Sequence, residues 1–147
     1  MGGLHPKLGL SYYVEMIRGL KERHPEVHIK ALTAVEIAHI ARIDKITPRD
    51  VLVALKDAGL TSMPGGGAEV FSTAVRATIA ERKLSGEEYL QVHGEAHALG
   101  IPTNCTMLYG HVETAEDRVA HLQMLRDQQD RSGGFLTYIP LAYHTEN

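Results

Sequence analysis

Three consecutive glycines followed by a carboxylate form the most distinctive chemical motif of this chain: Gly65, Gly66 and Gly67 lead into Glu69. Glycines let a backbone approach a ligand closely and present N–H donors to it, and the carboxylate could bond ribose hydroxyls or an ammonium group. The motif lacks the Gly-Lys-Ser/Thr of a phosphate-binding loop and the spacing of a dinucleotide fingerprint. We predict a cofactor-binding loop here, with a flexible turn and a solvated glutamate as the alternative.

A second motif joins Tyr109 and Gly110 to Glu113 and Thr114, where a predicted strand turns into a helix. We predict that the first three of these residues contact a cofactor. Thr114 is also a good N-cap residue, because its hydroxyl can accept a hydrogen bond from the first helical turn. Capping chemistry therefore explains part of this motif without any ligand.

His5 and His144 lie on predicted loops near opposite ends of the chain, and His5 follows the glycine pair Gly2 and Gly3. A histidine can donate a hydrogen bond or a positive charge near neutral pH, which suits general acid–base chemistry. If both loops reach the same face of the fold, both histidines are candidates for catalysis. Solvated loop histidines are the alternative.

Two further patterns have the spacing of metal-binding motifs. Glu36 and His39, at i and i+3, match only half of a di-iron motif, so we interpret them as a polar pair beside a site, with Glu36 as a third catalytic candidate. His93 and His97, at i and i+4, lack the glutamate directly after the first histidine that zinc proteases use. We expect these two to be exposed helix histidines, and we predict no metal site in the chain.

Alternating helices and strands must position these candidates. Apolar spacing and capping signals predict both kinds of element. The predicted helices cover Ser11–His24, Ala34–Ile43, Arg49–Ala58, Thr73–Ala80, the stretch from Ser85 to Leu99 and the stretch from Thr114 to Ser132. The predicted strands cover Val27–Leu32, Leu60–Met63, Thr103–Leu108 and Phe135–Ile139.

Alternation of this kind predicts an α/β fold with a parallel sheet and right-handed crossovers. Four parallel strands with flanking helices would make half of a β/α barrel, or a small open sheet. In a barrel, the loops after successive strands converge on the face that carries the active site. The candidate residues lie on or beside such loops, so we predict one site in a single partial barrel that covers residues 1–147.

Composition narrows the function classes. The chain has a net charge of −3 and no basic stripe with interleaved aromatics, which argues against nucleic-acid binding. It has no apolar run that could span a membrane and no signal-peptide pattern, so we expect a cytoplasmic protein that acts on a small molecule. The single Cys105 cannot form an internal disulfide, and we predict that it is a small buried residue within a strand.

Five blocks of sequence together resemble the aminofutalosine synthase family of radical S-adenosylmethionine enzymes. The blocks are residues 2–6, 28–37, 64–69, 106–114 and 133–144, and the similarity covers essentially the whole chain. The resemblance implies a partial β/α barrel of the radical S-adenosylmethionine type, from the second loop to the sixth strand of the family's fold. Cyclic dehypoxanthinylfutalosine synthase is the nearest alternative, although the end of the last block is more similar to the aminofutalosine enzymes.

The resemblance also implies a reaction. In this family S-adenosylmethionine is cleaved at a 4Fe-4S cluster, and the 5′-deoxyadenosyl radical adds to 3-[(1-carboxyvinyl)oxy]benzoate to form aminofutalosine for menaquinone biosynthesis. By position, Gly2 and Gly3 correspond to the loop for the methionine amino group, and residues 110–113 lie beside the adenine. Glu69 and Glu36 lie where contacts with the ribose or the substrate are usual.

One feature departs from the family pattern. The family holds its cluster with three cysteines in one loop, whereas Cys105 is the only cysteine here. We therefore expect the cluster ligands to lie outside this chain, and we interpret the chain as an internal fragment that needs the remainder of the barrel for activity. The alternative from another class is a non-catalytic half-barrel that serves as a binding or scaffold domain.

Overall fold

The computed structural model describes residues 3–80 and 83–144. The helices are α1 (Leu10–Arg23), α2 (Ala34–Asp44), α3 (Pro48–Ala58), α4 (Thr73–Ile79), α5 (Gly86–Ala98) and α6 (Ala115–Ser132), and the strands are β1 (Thr103–Tyr109) and β2 (Phe135–Ala142). Each predicted helix is confirmed. Within these described residues, no helix is both long enough and apolar enough to cross a membrane.

Polar side chains determine where four of the helices begin. Thr33, Thr47, Ser85 and Thr114 each accept a hydrogen bond from a backbone N–H group in the first helical turn, and the acidic residue there bonds back to the cap residue. This reciprocal capping box satisfies two donors that a helix start would leave unpaired. Gly59 ends α3 in the left-handed conformation that favours glycine.

The sheet is parallel and small. β1 pairs with β2 along its length. The other two predicted strands are not regular strands, because they contribute only the isolated parallel bridges of Lys30 with Ser62 and of Met63 with Thr103. The first of these segments leaves the extended conformation at Leu32, where φ is +60°. The mixed α/β class is confirmed, and the closure of these segments into a barrel stays a prediction.

One main apolar core joins every helix except α4 to the sheet. Its fully buried side chains include Ile17, Ile37, Ile40, Val51, Leu52, Leu55, Met63, Tyr89, Ala96 and Ile101. Cys105 of β1 is part of this core with 3% exposure, as predicted. Burial raises the pKa of the Cys105 thiol to about 11, so the thiol stays protonated near neutral pH.

β2 lies at the edge of the sheet and is exposed along most of its length. In the described part of the chain, β2 pairs with β1 alone. Leu136 and Leu141 are 58% and 46% exposed. Pro140 lies within this strand, and proline is tolerated at a sheet edge because it has no N–H group to pair.

Buried histidines correct one expectation from the sequence. His93 is fully buried and His97 is half-buried, because α5 packs against α2, α3, α6 and β1. The hydroxyl oxygen of Thr103 lies 2.8 Å from His93 Nδ1 and 2.8 Å from His97 Nε2. His121 of α6 is also fully buried. The spacing of His93 and His97 could not show that this face of α5 turns inward.

We expect the free energy of unfolding to fall in mild acid. Burial lowers the pKa of His93 to about 3 and that of His121 to about 4. The unfolded chain takes up these protons near its ordinary pKa of about 6.5, before the folded chain does, so stability should decline as the pH drops below that value. The decline is expected to be up to about 1.4 kcal/mol per pH unit for each histidine. Urea unfolding between about pH 7.5 and about pH 4.5 measures it.

A pair of variants separates the buried histidines from the rest of the chain. His121→Gln should reduce the pH dependence, whereas His24→Gln, at an exposed position, should leave it unchanged. Stability that stays constant over this pH range in the parent chain would contradict the neutral, buried state of these side chains.

Candidate functional site

The loops that follow the parallel segments all lie at the same end of the sheet, where the segments have their carboxyl ends. Because every pairing is parallel, the carboxyl ends of these segments point the same way. Leu32, Pro64, Gly110 and Tyr143 follow those ends directly. Two cavities are lined by these residues, and the candidate residues divide between them.

The first cavity has a volume of about 470 Å³. It brings together Glu69 and Gly110, which two separate motifs predicted as cofactor-binding residues, with Lys83, which no motif predicted. Its other lining residues are Ile79, Leu108, His111, Val112 and Tyr143. Pockets of about 300–1,000 Å³ with apolar walls and a few polar groups are typical of small-molecule sites.

Glu69 occupies a strained backbone position in the first cavity. Its φ of +49° lies in the left-handed region that favours glycine. Its carbonyl accepts a hydrogen bond of 2.9 Å from the Leu108 N–H group, and its carboxylate pairs with Lys83 Nζ at 2.5 Å. The surrounding structure therefore holds this carboxylate in place from both ends.

Glu113 bonds to its own loop. Its carboxylate accepts hydrogen bonds from the N–H groups of Gly110, at 2.6 Å, and His111, at 2.9 Å, and Arg118 Nε lies 3.3 Å from it. Burial alone would raise the pKa of Glu113, but these N–H donors hold the pKa below its usual range. The side chain thus shapes the loop that carries Gly110, and direct contact between Glu113 and a cofactor stays a prediction.

His111 is a wall residue of the first cavity that the sequence motifs did not single out. Its Nε2 donates to the Leu108 carbonyl at 2.9 Å, and its Nδ1 accepts from the Val112 N–H group at 2.7 Å. Nδ1 also lies 3.3 Å from Oε2 of Glu113. The ring also contacts Tyr143 edge to face, with centroids 5.9 Å apart. Because both nitrogens are engaged, His111 shapes the cavity.

The glycine loop packs against the protein itself. A Cβ on Gly65 would lie 2.7 Å from both the carbonyl oxygen of Asn104 and the Cα of Cys105. Gly67 has a φ of +97°, and a Cβ there would lie 2.4 Å from Val35. Gly66 lies in the turn between them and is partly exposed. The close approach at Gly65 is made to β1, and contact of the three glycines with a cofactor stays a prediction.

The second cavity, of about 520 Å³, contains His5 and Lys30 among mostly apolar residues. The apolar lining comprises Leu8, Tyr12, Tyr13, Met16, Ala31, Leu32 and Pro64. His5 is exposed, and its carbonyl accepts a hydrogen bond of 3.0 Å from His39 Nε2. Gly3 is exposed with a φ of +70°, and Gly2 lies outside the described residues.

Glu36 is part of the capping box that begins α2. Its Oε2 accepts hydrogen bonds from the Thr33 N–H group, at 2.7 Å, and the Thr33 hydroxyl, at 2.9 Å. The residue is 5% exposed. Burial, together with the negative charge of Glu36, raises the pKa of Tyr13, which lines the second cavity. A catalytic role for Glu36 stays a prediction.

Two predicted residues lie at the end of the sheet. The carbonyl of Tyr109 accepts a hydrogen bond of 2.8 Å from the Tyr143 N–H group, so Tyr109 joins the ends of β1 and β2 beside the first cavity. His144 is exposed just after β2 and does not line either of the two described cavities. Its predicted role in catalysis stays a prediction.

The residues of this chain do not fit an iron–sulfur cluster. Such clusters are held by several cysteine thiolates, whereas the single Cys105 is buried with its Sγ 3.7 Å from the Thr137 carbonyl. Nor do residues 3–80 and 83–144 group three His, Cys, Asp or Glu side chains that could hold a metal ion. We therefore derive no chemistry of a cluster from these residues.

Comparison with curated proteins shows what the chain is similar to. It is 53% identical over 144 residues to the aminodeoxyfutalosine synthase of Thermus thermophilus, covering 98% of the chain and 39% of that protein. It is 42% identical over 146 residues to 5-amino-6-(D-ribitylamino)uracil–L-tyrosine 4-hydroxyphenyl transferase 1 of Methanosarcina acetivorans, covering 99% of the chain and 39% of that protein. It is also 42% identical over 146 residues to the cyclic dehypoxanthine futalosine synthase of Streptomyces coelicolor, covering 99% of the chain and 37% of that protein. No family model matches. The chain thus spans about two fifths of the length of these enzymes.

Proposed function

The chain is a relative of the aminodeoxyfutalosine synthases, and from this relationship we propose that it forms part of the active-site wall of a cytoplasmic radical S-adenosylmethionine enzyme. The proposed reaction transfers the 5′-deoxyadenosyl group of S-adenosylmethionine, with methionine as the leaving group, to the enolpyruvyl double bond of 3-[(1-carboxyvinyl)oxy]benzoate. Rearrangement with loss of the enolpyruvyl carboxylate then yields aminofutalosine for menaquinone biosynthesis. The observation that carries the proposal is the first cavity, where Glu69 and Gly110 from two separate motifs lie together.

The lining of the first cavity suits an adenosine group. The carboxylate of Glu69 can accept hydrogen bonds from ribose hydroxyls. Apart from Gly110 and its two chain neighbours, no heavy atom lies within 4 Å of the position that a Cβ of Gly110 would take, which leaves room for a flat ring. Leu108 and Val112 supply apolar contacts on the same wall. In this proposal the cavity binds the nucleoside and fixes its orientation.

The second cavity supports the binding of an aromatic acid. Tyr12, Tyr13 and Met16 provide apolar surface, and Lys30 provides a positive charge for one of the two carboxylates of the proposed substrate. His5 is the candidate hydrogen-bond donor there. We keep Glu36 and His144 as further candidates, because both lie close to the ends of the same parallel segments.

The proposal assigns binding and orientation to this chain and leaves the cluster to other residues. S-adenosylmethionine supplies the 5′-deoxyadenosyl group when it is bound. Cys105 is the only cysteine, so the thiolates of a 4Fe-4S cluster would have to come from polypeptide other than these residues.

Filling the first cavity should weaken the binding of S-adenosylmethionine. Val112 lines this cavity and is 57% exposed, so Val112→Trp should disturb folding little while its indole takes up ligand space. We expect the dissociation constant measured by isothermal titration calorimetry to rise by about tenfold or more, which corresponds to about 1.4 kcal/mol.

Val119→Trp is the matched control. Val119 is 54% exposed on α6 and does not line the first cavity, so the same substitution there should leave the affinity within about twofold of the parent. Equal affinities of the two variants for S-adenosylmethionine would show that the adenosine group does not bind in the first cavity. No measurable binding by the parent chain would count against the proposed function itself.

Two other functions remain candidates. The 42% identity to a cyclic dehypoxanthine futalosine synthase favours the cyclase reaction as one of them. The exposed β2 edge favours a non-catalytic binding or scaffold domain as the other. Analysis of the products formed by a protein that contains this chain together with a cluster domain distinguishes the two synthase reactions, and absence of S-adenosylmethionine binding favours the scaffold domain.

A further inference from the structure

Lys83 and Glu69 place an ion pair in the wall of the first cavity. Lys83 Nζ lies 2.5 Å from Glu69 Oε1, and the two side chains are 47% and 15% exposed. Both residues line the cavity together with Gly110 and His111. The pair therefore presents one positive and one negative group to any small molecule that enters.

Two other polar groups of this wall, the Gly110 N–H group and the His111 ring, are engaged with the protein. The N–H group of Gly110 donates to Glu113. His111 uses both ring nitrogens for backbone groups, the carbonyl of Leu108 in β1 and the N–H group of Val112 in its own loop. Among the described residues that line the first cavity, Lys83 is the only lysine or arginine. An ammonium group has three donors, and the pair with Glu69 requires one of them.

Glu69 shares its left-handed backbone conformation with Leu32 and Lys45, and it is the one of these three that lines the first cavity. A non-glycine residue in the left-handed region costs about 1–3 kcal/mol and persists where the surrounding structure enforces it, often at ligand sites. Exposed ion pairs by themselves contribute only about 0–1 kcal/mol. The stability gained from the pair with Lys83 therefore does not explain why a glutamate occupies a position with a φ of +49°.

We propose that Lys83 and Glu69 form a binding subsite for a carboxylate-bearing small molecule, in which Lys83 Nζ binds the carboxylate and Glu69 positions the lysine. This inference rests on the proposed function, which brings two such molecules to the chain. S-adenosylmethionine carries a carboxylate on its amino-acid end, and the proposed aromatic substrate carries two. The chemistry that both share is the carboxylate.

The experiment measures binding of two matched pairs of probes to the 147-residue chain by isothermal titration calorimetry. One pair is S-adenosylmethionine and decarboxylated S-adenosylmethionine, which differ by the carboxylate. The other is 3-hydroxybenzoate and phenol, which differ by the carboxylate. Lys83→Met removes the charge, Lys83→Arg keeps it, and Lys45→Met is the control at an exposed lysine that lines neither cavity.

We expect Lys83→Met to lower the affinity for one of the two carboxylate probes by about tenfold or more. A change of this size is typical of the loss of a hydrogen bond to a charged group. The carboxylate-free partner of that probe should be bound equally by parent and variant. Lys83→Arg should retain most of the affinity, and Lys45→Met should behave as the parent. The pair of probes that responds identifies the source of the carboxylate. If Lys83→Met does not fold by circular dichroism, Lys83→Gln replaces it.

The remaining outcomes separate this inference from the proposed function. Binding of both nucleoside probes and of 3-hydroxybenzoate that is unchanged in Lys83→Met would overturn the subsite and leave the proposed function intact. Binding of 3-hydroxybenzoate that depends on Lys83, without binding of either nucleoside, would support the subsite and count against the proposed function. Failure of the parent chain to bind any of the four probes would overturn both.

Discussion

Gly65→Ala should lower the free energy of unfolding by about 3–5 kcal/mol. The added Cβ would lie 2.7 Å from the backbone of Asn104 and Cys105, which cannot rotate away as a side chain could. The Gly65 carbonyl also accepts hydrogen bonds of 2.7 Å from the hydroxyls of Tyr89 and Thr106. Shifting the loop to relieve the clash would lengthen both bonds. Overpacking costs about 1–3 kcal/mol, and each lost bond adds about 1 kcal/mol.

Urea unfolding of Gly65→Ala beside Gly19→Ala tests this expectation. Gly19 lies inside α1, and nothing lies within 4 Å of the position of an added Cβ there. Alanine at this position should stabilise the chain by about 0.5–1 kcal/mol, because it is the better helix former. The same substitution is thus expected to have opposite effects at the two sites. Similar stability of Gly65→Ala and the parent chain would contradict the close packing of the glycine loop against β1.

Arg76→Met should lower the free energy of unfolding by a comparable amount, about 3–5 kcal/mol. Arg76 of α4 is 6% exposed. Its Nη1 donates to the carbonyls of Ala68, at 2.5 Å, and Val70, at 3.4 Å, and its Nη2 donates to the carbonyl of Leu84. Methionine fills similar space without donors, and each buried acceptor left unpaired costs about 1–3 kcal/mol.

Arg126→Met is the control for this variant. The side chain of Arg126 is 82% exposed. Its Nε lies 3.9 Å from Oδ2 of Asp130 on the same helix. Such a pair contributes about 0.3–0.5 kcal/mol, so the control should unfold at nearly the urea concentration of the parent. Glu69 and Lys83 are chain neighbours of the residues whose carbonyls Arg76 bonds. The affinity of the first cavity for its ligand should therefore also fall in Arg76→Met. Equal stability of the two variants would show that water satisfies these carbonyls.

The helices were predictable because their signals are local. A cap residue and its acidic partner are three positions apart, as for Thr47 and Asp50, and so the sequence itself contains both halves of the interaction. The extent of pairing in the segments around Lys30 and Ser62 was harder to predict, because it depends on residues that are 32 positions apart in the sequence. An alternating apolar pattern indicates an extended segment, but it does not show how many of its residues pair.

The site residues divide in the same way. Glu69 and Gly110 were identified because glycine and carboxylate motifs are visible along the chain. Lys83 was missed, since its partner is 14 residues away and no periodic pattern connects the two. His93 was expected on the surface, because histidine spacing on a helix shows which residues share a face and not what that face packs against.

The proline in β2 has a consequence for how the purified protein should behave at high concentration. An apolar edge strand is a template on which another chain can add a strand, and such addition leads to precipitates or fibrils. Leu136 and Leu141 lie on either side of Pro140, which interrupts the continuous run of backbone donors that a growing fibril requires. Pro140 thus acts as a gatekeeper against aggregation, because it divides the row of unpaired backbone groups along β2 into two shorter rows.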